Sequence, residues 1–447
     1  MSPGTAAEHI TPYDRLALDE ATMVALLASP ARNDGLVEYF GASLHAELVR
    51  LARATLRRQS PRRRAAVQRR RVYVLPGIMG SQLGFTRGGA RPNDILWLDP
   101  IDISFGRLTE LKLTDTSNVI ALGAMNYTYL KLTLSLRKAG FDAVLLDYDW
   151  RRDIRTLGIA LAERLAADGH DEVALVGHSM GGLVARAALA LAAGKCVSQV
   201  VTLGTPHSGS LAATQALRGT YSVVRKLGML DLRHDAEYLA RGVFSSFPSL
   251  HELLPAGKKV CDFDLFDAAA WPEGPGPDAT LLRAAAGVAG RLAPADPRFT
   301  VVVGCNRTTA TRVALRDGDF EYEYSLRGDG TVPMALALLE GARHRYVDCG
   351  HSDMPLSDRV IAGTIDLLKT GKTRRFRASP PASHGARTHV SDAELRQEYR
   401  GKVDWPQMSA AERRVFLDTL NEPPRRARAK NKRPARARRS TRMRRQR

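Results

Sequence analysis

The sequence predicts an α/β fold in which a mostly parallel β-sheet is covered by helices on both faces. Four short and almost entirely apolar runs indicate the strands, at 72–75, 143–146, 173–176 and 200–203. Helical patterns separate these runs, at 127–138, 154–168 and 182–193. Strands that are apolar throughout and alternate with helices are typical of a parallel sheet with both faces buried.

The composition indicates a folded protein rather than a disordered or membrane-embedded one. The chain has 447 residues, of which 44% are hydrophobic and 25% charged, so there is enough apolar material for a core. No apolar run approaches the roughly 18–20 residues that cross a bilayer, and the polar residues 1–20 do not have the form of a secretion signal. Four scattered cysteines lack metal-ligand spacing, which favours reduced thiols in a cytoplasm. We expect neither a metal nor another cofactor.

The formal net charge of +19 is concentrated in two flanking segments. Residues 50–71 contain ten arginines and residues 425–447 contain thirteen Lys and Arg, with no acidic residue in either segment, so the rest of the chain carries −4. Such dense like charges repel one another, and we expect both segments to be largely solvated or disordered. They have two interpretations: solubilising tails without a dedicated partner, or peripheral binding to a polyanion, either anionic membrane lipid or nucleic acid.

Four parts can be distinguished along the chain. Residues 1–71 form a helical N-terminal extension that ends in the first arginine-rich segment, and residues 72–371 contain the alternating strands and helices. Within this domain a Gly-, Pro- and Ala-rich stretch at about 209–297 interrupts the alternation, which indicates an inserted cap. Residues 372–424 are predicted to be a linker with short helices, and residues 425–447 a basic disordered tail.

The strongest chemical signal is the sequence Gly-His-Ser-Met-Gly at 177–181. It directly follows the apolar run 173–176 and directly precedes a helix, which is the strand–turn–helix context that an exposed nucleophilic serine needs. This turn lifts the Ser179 hydroxyl to the strand end, at a helix N-terminus that favours negative charge. We therefore predict that Ser179 is a nucleophile, the alternative being an ordinary glycine-rich turn.

A serine nucleophile needs a base to take its proton and an acid to orient that base. Asp329 lies in the turn 328–333 after a predicted strand, and His351 lies just past the predicted strand 345–347. The resulting chain order of serine, aspartate and histidine is the order found in α/β-hydrolases. The sequence therefore predicts Asp329 as the acid and His351 as the base.

Other residues compete for these two roles. Asp348 and Asp353 are rival acids, although each is so close to His351 in sequence that reaching its ring is awkward. His344 precedes the predicted strand, at the wrong end of the sheet, and His384 lies in a Pro- and Ser-rich linker.

The turn after the first predicted strand is a candidate for stabilising an oxyanion. Its sequence at 75–81 is Leu-Pro-Gly-Ile-Met-Gly-Ser, and such a turn presents backbone N–H groups at the carboxyl end of a strand. The second donor of such a site is the N–H of the residue after the nucleophile. We predict that Ile78 and Met180 are the two main-chain donors, and a plain β–α turn is the alternative.

Five sequence blocks occur together and in order, at 74–83, 147–151, 177–182, 202–206 and 328–332. Taken together, they resemble the lecithin:cholesterol acyltransferase-like family of α/β-hydrolases, which includes phospholipid:diacylglycerol acyltransferases and lysosomal phospholipase A2. The resemblance covers residues 72 to about 370. It implies an α/β-hydrolase fold, with a mostly parallel central sheet flanked by helices, in which the insertion serves as cap and lid.

The resemblance also implies roles for particular residues. It implies an acyl-serine intermediate at Ser179, with Asp329 and His351 completing a catalytic triad. It further implies that Tyr148 and Trp150 shape the acyl-binding region and so contact the substrate. No cofactor is implied.

The sequence therefore predicts a serine acyl-transfer enzyme that acts on ester-linked acyl chains of lipids, as an O-acyltransferase. Hydrolysis of the same esters by a lipase, phospholipase or esterase remains an alternative, since it uses the same triad. A third hypothesis, from another class, is a polyanion-binding protein with an inactive hydrolase scaffold. Transfer requires an acceptor that is positioned and shielded from water, and the insertion contains aromatic residues that could cover one: Phe244, Phe247, Phe263, Phe266 and Trp271.

Overall fold

The computed structural model of the protein describes residues 10–16, 19–31, 33–58, 69–257, 260–382 and 385–427. Twelve strands occur among these residues: β1 (Arg71–Leu75), β2 (Ser81–Phe85), β3 (Asp94–Trp97), β4 (Ile120–Ala124), β5 (Asp142–Leu145), β6 (Val173–His178), β7 (Val197–Leu203), β8 (Phe299–Cys305), β9 (Thr309–Arg316), β10 (Asp319–Ser325), β11 (Arg343–Asp348) and β12 (Thr388–Ser391).

The α-helices of the described residues flank these strands and also precede β1 and follow β12. They are Pro12–Leu16, Glu20–Ala28, Asp34–Phe40, Ala42–Arg58, Pro100–Ser104, Asn126–Lys138, Ile154–Asp168, Met180–Leu189, Leu211–Leu217, Ser222–Leu230, Ala236–Gly242, Pro248–Glu252, Ala279–Ala285, Val288–Arg291, Asp358–Thr370, Asp392–Glu398 and Ala410–Asp418. None of these helices combines the length and the apolar character that a membrane span requires.

The centre of the molecule is a six-stranded, entirely parallel sheet with the strand order β11-β8-β7-β6-β1-β5. Strand β6 is buried along its whole length, and β1 and β7 are buried at all but one position. This burial on both faces explains the continuous apolar runs in the sequence. The prediction of an α/β fold around a parallel sheet is confirmed. Because the strands are parallel, the loops that follow their carboxyl ends meet at one edge, where ligands bind in open α/β sheets.

Two small antiparallel sheets stand beside the central one, with the orders β3-β2-β4 and β12-β10-β9. The hairpin of β9 and β10 leaves the central sheet after β8 and then returns the chain to it. On its return, Gly328 O accepts a hydrogen bond of 3.0 Å from the backbone N–H of Arg307, and Asp329 forms an isolated parallel bridge with Arg307. Asp329 therefore lies at the carboxyl edge of the parallel sheet, although an antiparallel strand precedes it.

The N-terminal helices pack onto the body of the protein. Met23, Leu27 and Phe40 form an apolar cluster with Leu130 and Leu134, which belong to the helix Asn126–Lys138. All five side chains are at most 2% exposed. The N-terminal extension expected from the sequence is thus a layer of the fold, held by burial of apolar surface.

The C-terminal segment is fastened to the same body by a buried ring and by an ammonium group. Trp405 is 2% exposed and belongs to the main core. The Nζ group of Lys402 donates hydrogen bonds to three carbonyl oxygens, those of Gly228 (2.8 Å), Asp231 (2.5 Å) and His234 (2.7 Å). Two of these carbonyls lie at the end of the helix Ser222–Leu230, where a cation is favoured by the helix dipole.

The two arginine-rich segments are described only in part. Residues 59–68 and 428–447, together with His384, lie outside the described residues. At the end of the first segment, Arg70 and Arg71 are ordered and form ion pairs with Glu172 (3.1 Å) and Asp142 (3.0 Å). These two residues are therefore not solvated as expected, because Arg71 is the first residue of β1 and Arg70 directly precedes it.

The first residues of the expected tail are also ordered. Arg425–Ala427 form a single 3-10 turn. The carbonyl oxygen of Ala427 accepts a hydrogen bond of 2.9 Å from Thr388 Oγ1, and the side chain of Ala427 is buried. The expected disorder therefore does not begin at Arg425, because the strand β12 gives this turn a place to pack.

Glu252 is a half-buried acid whose ionisation links stability to pH. Its Oε2 accepts a hydrogen bond of 2.6 Å from the backbone N–H of Ile154, at the start of the helix Ile154–Asp168. Burial raises the pKa of Glu252 from 4.5 to about 7, although the Ile154 amide acts in the opposite direction. Between these two values the folded chain holds a proton that the unfolded chain has released, so this group's contribution to stability falls as pH rises.

Replacing Glu252 by glutamine is therefore expected to flatten the pH dependence of stability. The glutamine keeps an oxygen for the Ile154 N–H and cannot ionise. Between pH 5 and pH 8 the free energy of unfolding of the wild type should fall relative to that of Glu252→Gln, by on the order of 2 kcal/mol. Denaturant unfolding at several pH values measures this difference. Parallel curves for the two proteins would contradict the assigned pKa.

Candidate active site

Ser179, His351 and Asp329 form one chain of hydrogen bonds at the carboxyl edge of the central sheet. The Nδ1–H group of His351 donates to Asp329 Oδ2 at 2.8 Å. The other ring nitrogen, Nε2, then accepts from the hydroxyl of Ser179 at 2.9 Å. All three residues are buried. The structure thus brings together the three residues that the sequence predicted from three separate loops.

The turn at Ser179 holds the hydroxyl in a fixed and strained position. Ser179 has φ 54° and ψ −128°, a backbone conformation that costs a non-glycine residue about 1–3 kcal/mol. A hydrogen bond of 2.9 Å from its N–H to the carbonyl of Leu203 in β7 helps to hold it. Glycine is required two residues later, because a Cβ on Gly181 would lie 2.4 Å from the carbonyl oxygen of Leu75. The strain and the close approach both follow from fitting a sharp turn between adjacent strands.

Asp329 is oriented by the backbone of its own loop. Its Oδ1 accepts hydrogen bonds from the N–H groups of Thr331 (3.0 Å) and Val332 (2.7 Å), which leaves Oδ2 for the imidazole of His351. The backbone N–H of His351 also donates to the carbonyl of Asp329 at 2.8 Å. Oδ1 of Asp329 therefore binds its own loop and Oδ2 binds the imidazole. The loop of Asp329 and the loop of His351 are also joined by a backbone hydrogen bond.

The rival candidates have other partners in the structure. Asp348 is half-exposed and pairs with the guanidinium of Arg307, and it accepts a hydrogen bond of 3.0 Å from Asn306 Nδ2. His344 lies near the start of β11, where its Nε2 accepts a hydrogen bond of 3.1 Å from the N–H of Leu339. Neither residue forms part of the hydrogen-bonded chain at Ser179.

The loop that follows β1 lies directly against Ser179. A Cβ added to Gly77 would be 2.8 Å from the Cβ of Ser179. A hydrogen bond of 3.0 Å from Gly80 N–H to Gly77 O closes a turn in which Met79 has φ 63°, and the indole N–H of Trp97 donates to the Met79 carbonyl at 3.0 Å. The two predicted donors of this region are thus close to the nucleophile: Ile78 lies within the turn, and Met180 is the first residue of the helix after Ser179. A backbone N–H at a helix start has no partner within the helix.

Tyr148 and Trp150 support this loop from behind. The hydroxyl of Tyr148 donates to the carbonyl of Pro76, and the indole N–H of Trp150 donates to the carbonyl of Ser81 at 3.0 Å. Trp150 is completely buried, with its ring 5.6 Å from that of Phe247. Neither side chain belongs to the wall of the cavity described next. The structure therefore does not bring them to the substrate space, as the sequence resemblance implied, but to the far side of the 76–81 loop.

A cavity of about 750 Å³ opens above Ser179 and His351. Its volume lies within the range of ligand pockets, roughly 300–1,000 Å³. Its wall contains residues of the N-terminal helices, the region that follows β1, the start of the helix Asn126–Lys138, the insertion, the loops of Ser179, Asp329 and His351, and the C-terminal segment. Representative lining residues are Leu16, Tyr39, Trp97, Phe105, Tyr221, Val223, Leu250, Trp405 and Leu417.

The aromatic residues expected to cover an acceptor have a different place. Phe244 and Phe247 are at most 1% exposed and pack in the main core. Phe263 and Trp271 lie against the ring of Phe320, at 5.4 and 5.5 Å between ring centroids. Like Phe266, these four residues are absent from the cavity wall. The insertion instead contributes Tyr221 and aliphatic residues such as Val223 and Leu250 to the wall, and the five rings expected there lie elsewhere.

The C-terminal segment, which the sequence predicts to be a linker with short helices, contacts the loops of the active site. Asn421 Nδ2 donates to Thr331 Oγ1 (3.0 Å) and to Ser352 Oγ (2.9 Å), so it touches the loops of Asp329 and His351. The helix Ala410–Asp418 has no fully buried residue, but its Phe416 and Leu417 are partly buried and pack against the main core. It lies where the sequence predicts short helices, between residues 372 and 424.

One arginine of this helix joins the N-terminal helices to the C-terminal segment above the cavity. The guanidinium of Arg414 lies 4.5 Å above the ring of Tyr127 and donates to the carbonyl of Tyr39 in the N-terminal layer. Asp418 completes this cluster, because it pairs with Arg414 at 3.0 Å and accepts a hydrogen bond from Tyr127 at 2.8 Å. We call these four residues, Tyr39, Tyr127, Arg414 and Asp418, the roof of the cavity. The roof is held by polar contacts that join the N-terminal helices to the C-terminal segment.

The described residues contain no group of three or more His, Cys, Asp or Glu side chains that could hold a metal ion. Near Ser179 the chain presents a hydroxyl, the imidazole of His351, the carboxylate of Asp329 and backbone N–H groups. Such a set is suited to acyl transfer through a serine ester.

Comparison with known proteins agrees with this arrangement at the level of the fold. A family model described as the PGAP1-like alpha/beta domain matches residues 154–240, a stretch that includes β6, Ser179 and the first helices of the insertion. No curated protein matches the chain. The parallel sheet, the serine turn between β6 and its helix, and this match define the protein as one with an α/β-hydrolase fold. The predicted fold class is confirmed.

Three solved structures have a similar course of the chain. The lipase BlEst2 of Bacillus licheniformis in its mature form is 16% identical over 67% of this chain and 90% of its own, with a TM-score of 0.33. The product of the gene lin2722 from Listeria innocua is 13% identical over 69% of this chain and 96% of its own, with a TM-score of 0.27. A chain of the Tle4–Tli4 complex is 14% identical over 68% of this chain and all of its own, with a TM-score of 0.44.

Proposed function

We propose that the protein is a serine acyl-transfer enzyme that acts on lipid esters, of the lecithin:cholesterol acyltransferase-like type. The observation that supports this proposal best is the hydrogen-bonded chain of Ser179, His351 and Asp329 at the floor of a large cavity. The five sequence blocks that resemble that family support the subfamily. The PGAP1-like match supports the wider class of α/β-hydrolases.

The geometry suits a two-step reaction. In the first step Ser179 Oγ attacks the ester carbonyl while His351 Nε2 takes the hydroxyl proton, and the carbonyl oxygen becomes an oxyanion held by the N–H groups of Ile78 and Met180. Asp329 stabilises the imidazolium that forms. His351 then passes the proton to the leaving alcohol, which departs and leaves the acyl group on Ser179.

In the second step an acceptor attacks the acyl-serine and His351 takes its proton; the bond between the acyl carbon and Ser179 Oγ then breaks, and His351 returns the proton to the serine oxygen. Water as the acceptor gives a free fatty acid, and an alcohol gives a new ester. Because bulk water is concentrated, transfer requires a positioned acceptor, for which orientation can supply an effective molarity of about 10⁵ M or more. The N-terminal helices and the C-terminal segment, which both contribute to the cavity wall, support transfer, since chain packed around the space above Ser179 reduces its exposure to water.

The size and the lining of the cavity support a lipid substrate. Leu16, Val223, Leu250 and Leu417 line it from different sides, and apolar walls of this extent favour burial of an acyl chain. A small water-soluble ester needs far less apolar surface. The peripheral binding of anionic membrane by the arginine-rich segments, residues 50–71 and 425–447, remains a part of the proposal that only the sequence supports.

The choice of acceptor is tested with mixed vesicles that contain phospholipid with a labelled acyl chain and either diacylglycerol or a long-chain alcohol. We expect a labelled new ester whose amount rises with the acceptor and which Ser179→Ala does not form. Free fatty acid as the sole product at every acceptor concentration would exclude the transferase and leave a lipase. No turnover of any ester, together with no reaction of Ser179 with a fluorophosphonate, would favour the inactive scaffold that binds polyanions.

A further inference from the structure

We infer that Tyr129 and His178 are positioning residues, which connect the loop after β1 to the loop of His351 through a buried line of hydrogen bonds beneath Ser179. This inference rests on the proposed function, because it assigns a role in the same reaction. Neither residue was selected as a site residue from the sequence, where His178 served only as part of the serine motif.

The line contains three hydrogen bonds. The backbone N–H of Gly77 donates to the hydroxyl oxygen of Tyr129 at 2.8 Å. The same hydroxyl lies 2.9 Å from Nδ1 of His178. On the other side of its ring, Nε2 of His178 lies 3.0 Å from the backbone carbonyl oxygen of His351. The line therefore begins one residue before Ile78 and ends on the residue that carries the base.

The chemistry of the end groups fixes the direction of every bond. A carbonyl oxygen can only accept, so Nε2 of His178 carries the hydrogen that points to His351. In a neutral imidazole the other nitrogen is then an acceptor, and the hydroxyl of Tyr129 donates to Nδ1. The tyrosine oxygen remains free to accept from the N–H of Gly77. Every polar atom of the line thus has a partner within the protein.

Burial maintains this arrangement. His178 is 5% exposed and Tyr129 is 2% exposed. Burial lowers the pKa of His178 to about 3, and the nearby ring of His351 acts in the same direction. The neutral state that the bond directions require is thus the stable one near neutral pH. A neutral ring is also needed next to the base, since the ring centroids of His178 and His351 are 4.9 Å apart and two imidazolium ions would repel each other.

The line matters because the two loops must keep the correct separation across Ser179. The first loop carries the predicted donor Ile78, and the second carries the imidazole of His351. A shift of either loop by about 1 Å can reduce the rate of a positioned reaction on the order of 100-fold. Tyr129 and His178 are only two of the many residues that line the cavity, so substrate binding should be largely kept and the loss should appear in kcat and not in KM.

The experiment compares Tyr129→Phe with Tyr324→Phe. The first substitution removes one oxygen and leaves both the Gly77 N–H and Nδ1 of His178 without partners. Tyr324 is the matched control: its buried hydroxyl accepts a hydrogen bond of 2.7 Å from Gln215 Nε2, and it lies outside the cavity wall. With a short-chain p-nitrophenyl ester, we expect kcat of Tyr129→Phe to fall about 10- to 100-fold at nearly constant KM, and kcat of Tyr324→Phe to stay within about twofold of wild type.

His178 provides a conservative variant as a second test. His178→Gln can keep an N–H for the carbonyl of His351, whereas His178→Phe cannot. We expect kcat to fall less in His178→Gln than in His178→Phe. Equal losses in these two variants would remove the hydrogen bond to His351 from the explanation and overturn the inference.

Hydrogen exchange measured by mass spectrometry tests the line without turnover. In Tyr129→Phe we expect faster exchange in peptides that cover 76–81 and 349–353, and no such change in Tyr324→Phe. The inference is overturned if Tyr129→Phe leaves kcat or the exchange of both peptides unchanged, or if both tyrosine variants lower kcat equally. If the wild type turns over no ester while exchange responds as expected, the proposed function fails and the structural connection stands.

Discussion

Replacing Ser179 by alanine is expected to lower kcat on a short-chain ester by several orders of magnitude, up to about 10⁶-fold. The hydroxyl of Ser179 is the group that His351 Nε2 contacts at 2.9 Å, and without it no acyl-enzyme can form. The remaining oxyanion donors and binding groups should keep a residual acceleration of about 10³ over the uncatalysed reaction. His351→Ala should cost about as much, because the members of a triad act as a unit.

The fold should survive this change. Alanine removes one oxygen and keeps the backbone of the turn, so the melting temperature of Ser179→Ala should remain close to that of the wild type. Ser104→Ala is a suitable control, since Ser104 also lies in the cavity wall and its hydroxyl donates to the carbonyl of Ile101 at 2.6 Å. Ester turnover of the control should be nearly normal. Near-normal turnover of Ser179→Ala would show that the proposed mechanism is wrong.

The central sheet and the three hydrogen-bonded residues could be predicted because each leaves a local mark in the sequence. Strand β6 is buried on both faces and is therefore a continuous apolar run. The sharp turn after it requires small residues, which gives the glycine pattern around Ser179. Asp329 and His351 follow the serine in the order that is typical of α/β-hydrolases. Their positions in the chain were therefore enough to select them, although the sequence gives no distances.

The roof of the cavity could not be predicted in the same way. Arg414 and Tyr39 are 375 residues apart in the chain, and contacts at that separation leave no periodic pattern. The sequence predicts short helices in the region that carries Arg414, but a helical pattern does not specify which distant residues its polar side chains contact. Such polar contacts form only once the whole chain has folded, so the sequence of a single segment does not predict them.

The positions of Tyr148 and Trp150 illustrate a second limit. The resemblance implied that they shape the acyl-binding region, whereas in the structure both donate hydrogen bonds to carbonyl groups of residues 76–81 and neither lines the cavity. The side of the loop on which they lie depends on how β3 and the insertion pack around Trp150. A resemblance between sequence blocks conveys proximity to the site but not the face that meets the substrate.

Asp329→Asn is the second substitution with a large expected effect, because asparagine cannot satisfy both groups that the aspartate satisfies. Oδ1 of Asp329 accepts two backbone N–H groups, from Thr331 and Val332. The single amide oxygen of asparagine would have to stay with these donors, which turns its NH₂ group toward Nδ1 of His351. Two donors would then face each other.

The imidazole can relieve this clash only by moving its proton from Nδ1 to Nε2. In that tautomer Nε2 can no longer accept the proton of Ser179, so the nucleophile is not activated. From this effect we expect kcat/KM on a short-chain ester to fall about 10³- to 10⁴-fold, somewhat less than for Ser179→Ala because the hydroxyl and the oxyanion donors remain.

Asp348→Asn is the matched control for this prediction. Asp348 is the rival acid nearest to His351 in sequence on its N-terminal side, and it carries the same charge, but it pairs with Arg307 and Asn306 at the protein surface. Its replacement changes the net charge by the same amount and should leave kcat/KM within about threefold of wild type, as expected for an exposed ion pair. Equal losses in the two variants would mean that the charge near the site matters and the bond to His351 does not. Among the described residues, Asp329 is the acid that contacts Nδ1 of His351. If kcat/KM of Asp329→Asn were unchanged, the reaction would not depend on this contact and the proposed role of Asp329 would be wrong.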